Sequence, residues 1–305
     1  NIAQLAQSGI GLGDREYYLA DDEHSKMLRD EYRKLINTQF KNAGYSDADA
    51  AKASSVVMKI ETELAESHIT KEMRRLPELN YHKYLVSELN EKVAPFDWAY
   101  YLEEVGAANA DSLNVSQVEP VRRAIQLIHT EPIDHIKDYL SWKVINSAAN
   151  FLSDEFVNAN FEFYGKKMSG SKELRPRWKR SIDAVNSALG EAVGQLYVEK
   201  YFPPQAKDRM LQLVENLKTS LGERIDNLEW MSDTTKSKAH EKLAAFIVKI
   251  GYPDKWKDYT SLEIKEDSYW ANMMRAAEYE YNDMIKDLNR PVDKTKWYMT
   301  PQTVN

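Results

Sequence analysis

The sequence predicts a mainly α fold, a multi-helix domain with one small β-containing excursion. Three observations carry that expectation. Glycine and proline are scarce, 11 and 10 among 305 residues, so few positions interrupt a helix. Apolar residues recur at helical spacing through most of the chain. Eighteen tyrosines and seven tryptophans supply the aromatic packing that long amphipathic helices use.

Taken in order, Gly9-Ile10-Gly11-Leu12-Gly13-Asp14 reads as a loop; its spacing is not that of a dinucleotide fingerprint and no strand precedes it. Asp21 or Asp22 can cap a helix running to about Asn42, with Leu28, Tyr32, Leu35, Ile36 and Phe40 on one face and Gly44 beyond its end. Ser46 starts a second helix with Val57, Ile60 and Leu64 in one stripe. Leu76-Pro77 breaks the pattern, a shorter helix is expected from Tyr81 to Lys92, and another from Asp97 to Val105, closed by Gly106. From Ala107 to Glu131 the pattern changes. Ser112-Leu113-Asn114-Val115-Ser116 alternates as a short strand does, and the run from Ala124 to Ile128 is ambiguous between strand and helix.

Helices then dominate: Ile133 to Phe163, Trp178 to Phe202, Ala206 to Leu228, Asp233 to Ile250 and Asp267 to Leu288. Gly190 and Gly194 would let another helix approach the second of these closely. Pro203-Pro204, Gly251 and Pro291 act as stops. No fixed-period repeat is visible, which argues against a solenoid.

Composition narrows the function classes. Hydrophobic residues make up 43% and charged residues 29%, a foldable and not a disordered balance. No run approaches ~18 apolar residues, so no transmembrane segment is expected in this chain. The start, Asn1-Ile2-Ala3-Gln4, has no basic and apolar run of the signal-peptide kind. The net charge is −7 and the basic residues are scattered, which argues against nucleic acid as a partner. With no cysteine, disulfides, thiolate metal sites and Cys nucleophiles are excluded.

The six histidines are His24, His68, His82, His129, His135 and His240. A helical zinc pair needs a second histidine four residues on. His240-Glu241 has Ala244 there, so His240 reads as a solvated helix residue; His129 and His135 flank Pro132 and do not read as a metal pair. Acidic pairs such as Asp21-Asp22 and Glu103-Glu104 read as charged faces among 48 acidic residues. Neither a Gly-x-Ser-x-Gly elbow nor a phosphate loop occurs.

Several segments nevertheless resemble one family. Arg177-Trp178-Lys179-Arg180-Ser181-Ile182-Asp183-Ala184-Val185-Asn186, continuing through Leu189-Gly190-Glu191-Ala192-Val193-Gly194-Gln195-Leu196-Tyr197-Val198-Glu199, is similar to a signature helix of the neprilysin and endothelin-converting enzyme family of zinc metallopeptidases. Asn227-Leu228-Glu229-Trp230-Met231 with Thr235-Lys236, and Lys249-Ile250-Gly251-Tyr252-Pro253, resemble further family segments. So do Gly11-Leu12-Gly13-Asp14-Arg15-Glu16-Tyr17-Tyr18-Leu19 near the start, and Val292-Asp293-Lys294 through Trp297 with Thr303-Val304-Asn305 at the end.

The resemblance implies that the helices form the cap domain of a neprilysin-like peptidase. Residues 1–106 and 132–290 would be its two parts. Residues 107–131 would be a β-containing excursion belonging to the catalytic domain, and 291–305 a linker toward that domain. It also implies that Asn305 is the asparagine of the family's Asn-Ala-x-Tyr strand, offering its side-chain amide to a peptide backbone. Zinc, its His-Glu-x-x-His ligands and the general base would belong to the parent enzyme, and this chain, a fragment on that reading, would hold no metal and no catalytic residue. Trp178, Asn186, Trp230, Tyr252, Tyr17 and Tyr18 would be packing residues. Peptides and the catalytic segment of the same protein would be the partners. Animal members carry a cysteine where this chain has Ser181. A bacterial member of the oligopeptidase O type is therefore favoured, in the cell envelope, periplasmic or extracellular, with a cytoplasmic site left open. Two other readings stand beside this one: a stand-alone helical binding or scaffold module, and a metal enzyme using His240 and Glu241.

Overall fold

The computed structural model describes residues 1–303 of the chain, which divides into two compact units. The first comprises residues 1–175 with 264–291, the second residues 176–263 with the described residues from 292 onward.

The first unit opens with β1 (Ala3–Leu5), α1 (Glu16–Leu19), α2 (Glu23–Asn42) and α3 (Asp47–Ser67). The two long helices begin where the caps require. The Asp22 carboxylate accepts from the Ser25 N–H at 3.0 Å, and the Ser46 hydroxyl accepts from the Asp49 N–H at 3.1 Å. Gly44 ends α2 in the left-handed region, at φ 93°. The predicted stripe of α2 is buried as a whole, with Leu28, Tyr32, Leu35, Ile36 and Phe40 packed on Ala53 and Val57 of α3.

The segment from Tyr81 to Lys92 departs from the predicted helix. It forms β2 (Lys83–Leu85), a 3-10 turn and then α4 (Leu89–Lys92). α5 (Trp98–Glu104) follows, capped by Asp97, then β3 (Ser112–Val115) where alternation predicts a strand. β3 is the centre of a three-stranded sheet. β1 runs parallel to it, with Leu5 opposite Val115, and β2 antiparallel, with Tyr84 opposite Leu113. Partner strands satisfy the polar backbone of such short segments, and neither β1 nor β2 carries a local pattern strong enough to announce itself. Leu113 and Val115 are buried beneath this sheet with Leu89, Trp98 and Leu102.

The ambiguous run from Ala124 to Ile128 lies within α6 (Val118–Thr130). The expected long helix from Ile133 to Phe163 is broken. α7 (Ile133–Ala148) ends in a 3-10 turn, α8 (Asp154–Asn160) restarts after Ser153, and a wider π-helical turn covers Phe161–Met168. Trp142 of α7 is fully buried against Tyr32 and Phe40.

The second unit is built from α9 (Arg177–Ala188), α10 (Gly190–Tyr201), α11 (Pro204–Asp226) and α12 (Asp233–Ala244). The single helix expected from Trp178 to Phe202 is divided at Leu189, whose backbone leaves the helical region at φ −130°, ψ 35°, directly before Gly190. A glycine inside a helix lowers its stability by roughly 0.5–1 kcal/mol relative to alanine, and the chain breaks there. Pro204 opens α11 two residues earlier than expected, since proline's fixed φ suits a first helical position. α12 stops at Ala244 and not at Ile250, because the β-branched Ile247, Val248 and Ile250 favour extended backbone and Gly251 then turns at φ 73°.

Residues 264–291 return to the first unit with α13 (Tyr269–Ile285). The Tyr281 hydroxyl donates to the Val105 carbonyl at 2.6 Å, and the Asn289 amide to the Asn109 carbonyl at 2.6 Å. Phe151 stacks on Trp270 with ring centres 6.0 Å apart.

Candidate functional site

The histidines do not converge on one another. His240 Nε2 lies 2.7 Å from an Asp226 carboxylate oxygen, while Glu241 turns to Lys238 at 2.8 Å. His135 pairs with Glu131 at 2.8 Å, and His129 Nε2 meets the Pro95 carbonyl at 3.2 Å. His82 Nδ1 meets the Val115 carbonyl at 3.1 Å, and His24 faces the Tyr17 ring. His68 is buried, and desolvation holds its imidazole below the ordinary histidine value. Among the described residues no group of three or more His, Asp or Glu side chains is placed to hold a metal ion. The donor set shown here therefore does not fit zinc.

Two polar constructions do stand out, one in each unit. In the first, the loop at Gly9–Asp14 is tied to a buried carboxylate. Glu61 of α3 is wholly buried. One of its oxygens accepts from the Tyr18 hydroxyl at 2.5 Å and from the Gly11 N–H at 2.9 Å. The other accepts from the Tyr32 hydroxyl at 3.2 Å, with Lys143 Nζ 3.6 Å away. The network extends outward. Trp142 Nε1 donates to the Tyr32 hydroxyl, and Lys143 and Tyr139 donate to the Gly9 carbonyl at 3.1 and 2.7 Å.

Burial raises the Glu61 carboxyl above the usual glutamate value, against the opposing pull of Lys143, Tyr18, Gly11 and Tyr32. Burial, together with the Glu61 charge, pushes the Tyr18 phenol far up, so it stays a donor at any pH the fold tolerates. Tyr18 thus holds the loop, accepting from the N–H groups of Gly11 and Leu12 at 3.0 Å each. Sequence reasoning passed over Glu61, although a signal was there: it follows Ile60 on the stripe that Val57, Ile60 and Leu64 define. A charge on an apolar stripe requires partners.

In the second unit the end of the described chain is seated on α9 and α10. Gln302 Nε2 donates to the Asn186 side-chain oxygen at 3.2 Å and to the Gly190 carbonyl at 2.9 Å. A Cβ on Gly190 would meet Thr300 Cγ2 at 2.7 Å, and one on Gly194 would meet Pro301 Cδ at 2.7 Å. These two glycines therefore admit the turn at the end of the described chain, and not the helix expected from the sequence. Thr300 and Thr303 close a turn, N–H to carbonyl at 3.0 Å and hydroxyl to hydroxyl at 2.8 Å. Asn305, the one predicted substrate-binding residue, lies outside the described residues.

Of the other motif residues, Tyr252 packs as expected, stacked on Trp256 with Lys207 Nζ 4.2 Å from its ring centre. Trp178 and Trp230 do not: they are 62% and 77% exposed. Asn186 is a hydrogen-bond acceptor for the tail as well as a helix residue.

Comparison with known proteins gives these features a context. The chain is 29% identical to mouse endothelin-converting enzyme 1 and 27% identical to mouse endothelin-converting enzyme-like 1, over its full length in both cases. It spans about two fifths of these curated relatives, 41% and 40% of their lengths. Among solved structures it resembles the Mycobacterium tuberculosis zinc metalloprotease Zmp1 in complex with an inhibitor. That match has a TM-score of 0.90 and 34% identity over 99% of this chain and 46% of the other. PepO from Lactobacillus rhamnosus shares the fold with a TM-score of 0.82 at 20% identity, over 97% of this chain and 47% of the other. The sequence pattern of peptidase family M13 matches residues 1–253, from the Glu61-anchored loop through the tail's seat on α9 and α10, and the chain belongs to that family.

Proposed function

We propose that this chain is the helical, N-terminal part of a zinc metalloendopeptidase that cleaves small peptides inside an enclosed cavity. The observation that carries the reading is the family match over residues 1–253, joined to the likeness to a zinc metalloprotease over 99% of the chain. On this reading residues 1–106 and 132–290 are the cap, 107–131 an excursion of the catalytic domain and 291–305 the link to it. A chamber walled by packed helices acts as a size filter, since an extended peptide can enter and a folded domain cannot. Zinc, when bound, polarises the scissile carbonyl and activates water. On this reading that ion belongs to the parent protein and not to this chain. The sequence contains no His-Glu-x-x-His, so the chain by itself hydrolyses no peptide. Asn305 supplies peptide-backbone contact, one donor and one acceptor from its amide. The protein works in the bacterial cell envelope, periplasmic or extracellular.

Substrate size tests the reading. The full-length enzyme is given a short peptide, and separately the same segment held within a folded, disulfide-closed domain. We expect cleavage of the first and not of the second. Equal rates on both contradict a size-restricting chamber.

A further inference from the structure

The seat under the tail has a bearing on peptide binding, given the reading above that Asn305 contacts substrate. The turn at Thr300–Thr303 is not free to take any course. Gly190 and Gly194 present bare backbone where any Cβ would collide with Thr300 or Pro301. Gln302 is held by two donated bonds, to Asn186 of α9 and to the first residue of α10. Its own carbonyl oxygen is buried and accepts from no donor among the described residues. A buried acceptor without a partner costs stability, so this amide keeps its place through what it donates and through shape. The division of the helix at Leu189 belongs to the same construction, since it sets the Gly190 carbonyl at the start of α10 within reach of Gln302. Only one residue, Val304, separates Thr303 from Asn305.

We propose that Gly190, Gly194, Asn186 and Gln302 are positioning residues for peptide binding: they fix the path of the chain through Thr303 and so the point from which the substrate-binding segment sets out. They touch no substrate. They reduce the freedom that peptide binding would otherwise have to remove.

The test is kinetic and uses the full-length enzyme with a short peptide substrate. Gln302→Met removes both donated bonds and the unpaired acceptor at similar length. Gly194→Ala lifts Pro301 off the seat. Asn305→Ala reports on the underlying reading, and Glu199→Gln, exposed on α10, is the control. Loss of a bond used equally in ground and transition states raises KM and spares kcat. We expect Gln302→Met and Gly194→Ala each to raise KM about tenfold with kcat within about threefold. Gln302→Met added to Asn305→Ala should raise KM no further than Asn305→Ala alone, because coupled residues are not additive. Faster hydrogen exchange at the Thr303 N–H in Gln302→Met, measured on the same enzyme, accompanies the expected result. An Asn305→Ala enzyme with raised KM beside seat variants with unchanged KM overturns the positioning role alone. An unchanged KM in Asn305→Ala overturns the reading beneath it. If Gly194→Ala fails to fold, Gln302→Met decides.

Discussion

The two units of this chain bury their side chains very differently. In the first, Tyr32, Phe40 and Trp142 are fully inaccessible and a carboxylate lies among them with every oxygen engaged. In the second, the buried hydrophobic side chains among the described residues are Ala188, Ile225 and Leu243, at 9%, 8% and 9% exposure. Trp178, Ile182 and Val185 meanwhile stand in an exposed row along α9. The first unit thus has an interior of its own, held by packing and by the polar contacts that surround Glu61. The second relies on close backbone approach and single hydrogen bonds, as at Gly190, Gly194 and Gln302.

That contrast makes graded predictions. The largest effect is expected at Trp142. Trp142→Ala removes a buried indole and its bond to Tyr32 and should cost about 3–5 kcal/mol in urea unfolding. Trp178→Ala and Trp230→Ala should each change stability by less than about 0.5 kcal/mol. A large loss at Trp230 would break the comparison.

Next comes Glu61. Glu61→Ala leaves the Gly11 N–H and the Tyr18 and Tyr32 hydroxyls without their acceptor, at a cost of about 2–3 kcal/mol. The pH dependence has a definite sign. The native carboxyl titrates above its ordinary value of 4.5, so the native state holds the proton more tightly than the unfolded chain. Its contribution is fully present below the unfolded value and is lost as pH rises through the native one. The stability advantage of the wild type over Glu61→Gln should therefore shrink between acid and neutral pH. An advantage that grows over that interval contradicts the assignment.

Two glycines sharpen the comparison further. Gly251 turns at φ 73°, and a Cβ there collides with the Phe202 ring. Gly13 turns at φ 79° in open space. Gly251→Ala should cost about 2–3 kcal/mol and Gly13→Ala about 1 kcal/mol. Equal values would show that the Phe202 contact is unimportant. The smallest effect concerns a cap: Ser46→Ala should cost about 1 kcal/mol, and Ser232→Ala, whose bond from the Thr235 N–H is longer at 3.3 Å, no more than that.

How much of this was legible beforehand follows from the range of the forces involved. α2 and α3 were readable because their signals are local: Asp22 and Ser46 as caps, Gly44 as a stop, and apolar stripes between. β3 was readable from alternation alone. β1 and β2 were not, because three-residue strands exist only through pairing with β3. The break at Leu189 is obscured because both halves are good helices, and the glycine after it signals only a place of close approach. The approach is real, but what arrives is a tail whose Gln302 lies 112 residues further along, a distance no local pattern spans. Glu61 could have been found, since its place on the α3 stripe requires buried partners. The exposure of Trp178 and Trp230 could not, because an indole's residue type says that it prefers burial and not whether a neighbour is at hand.

The chain belongs to peptidase family M13, and the proposal above gives the metal to the parent protein. The most direct test incubates the purified 305-residue chain with equimolar zinc and a short fluorogenic peptide and measures turnover together with bound metal. We expect no hydrolysis above the blank and no stoichiometric zinc. Turnover abolished both by a chelator and by His240→Ala would contradict that proposal.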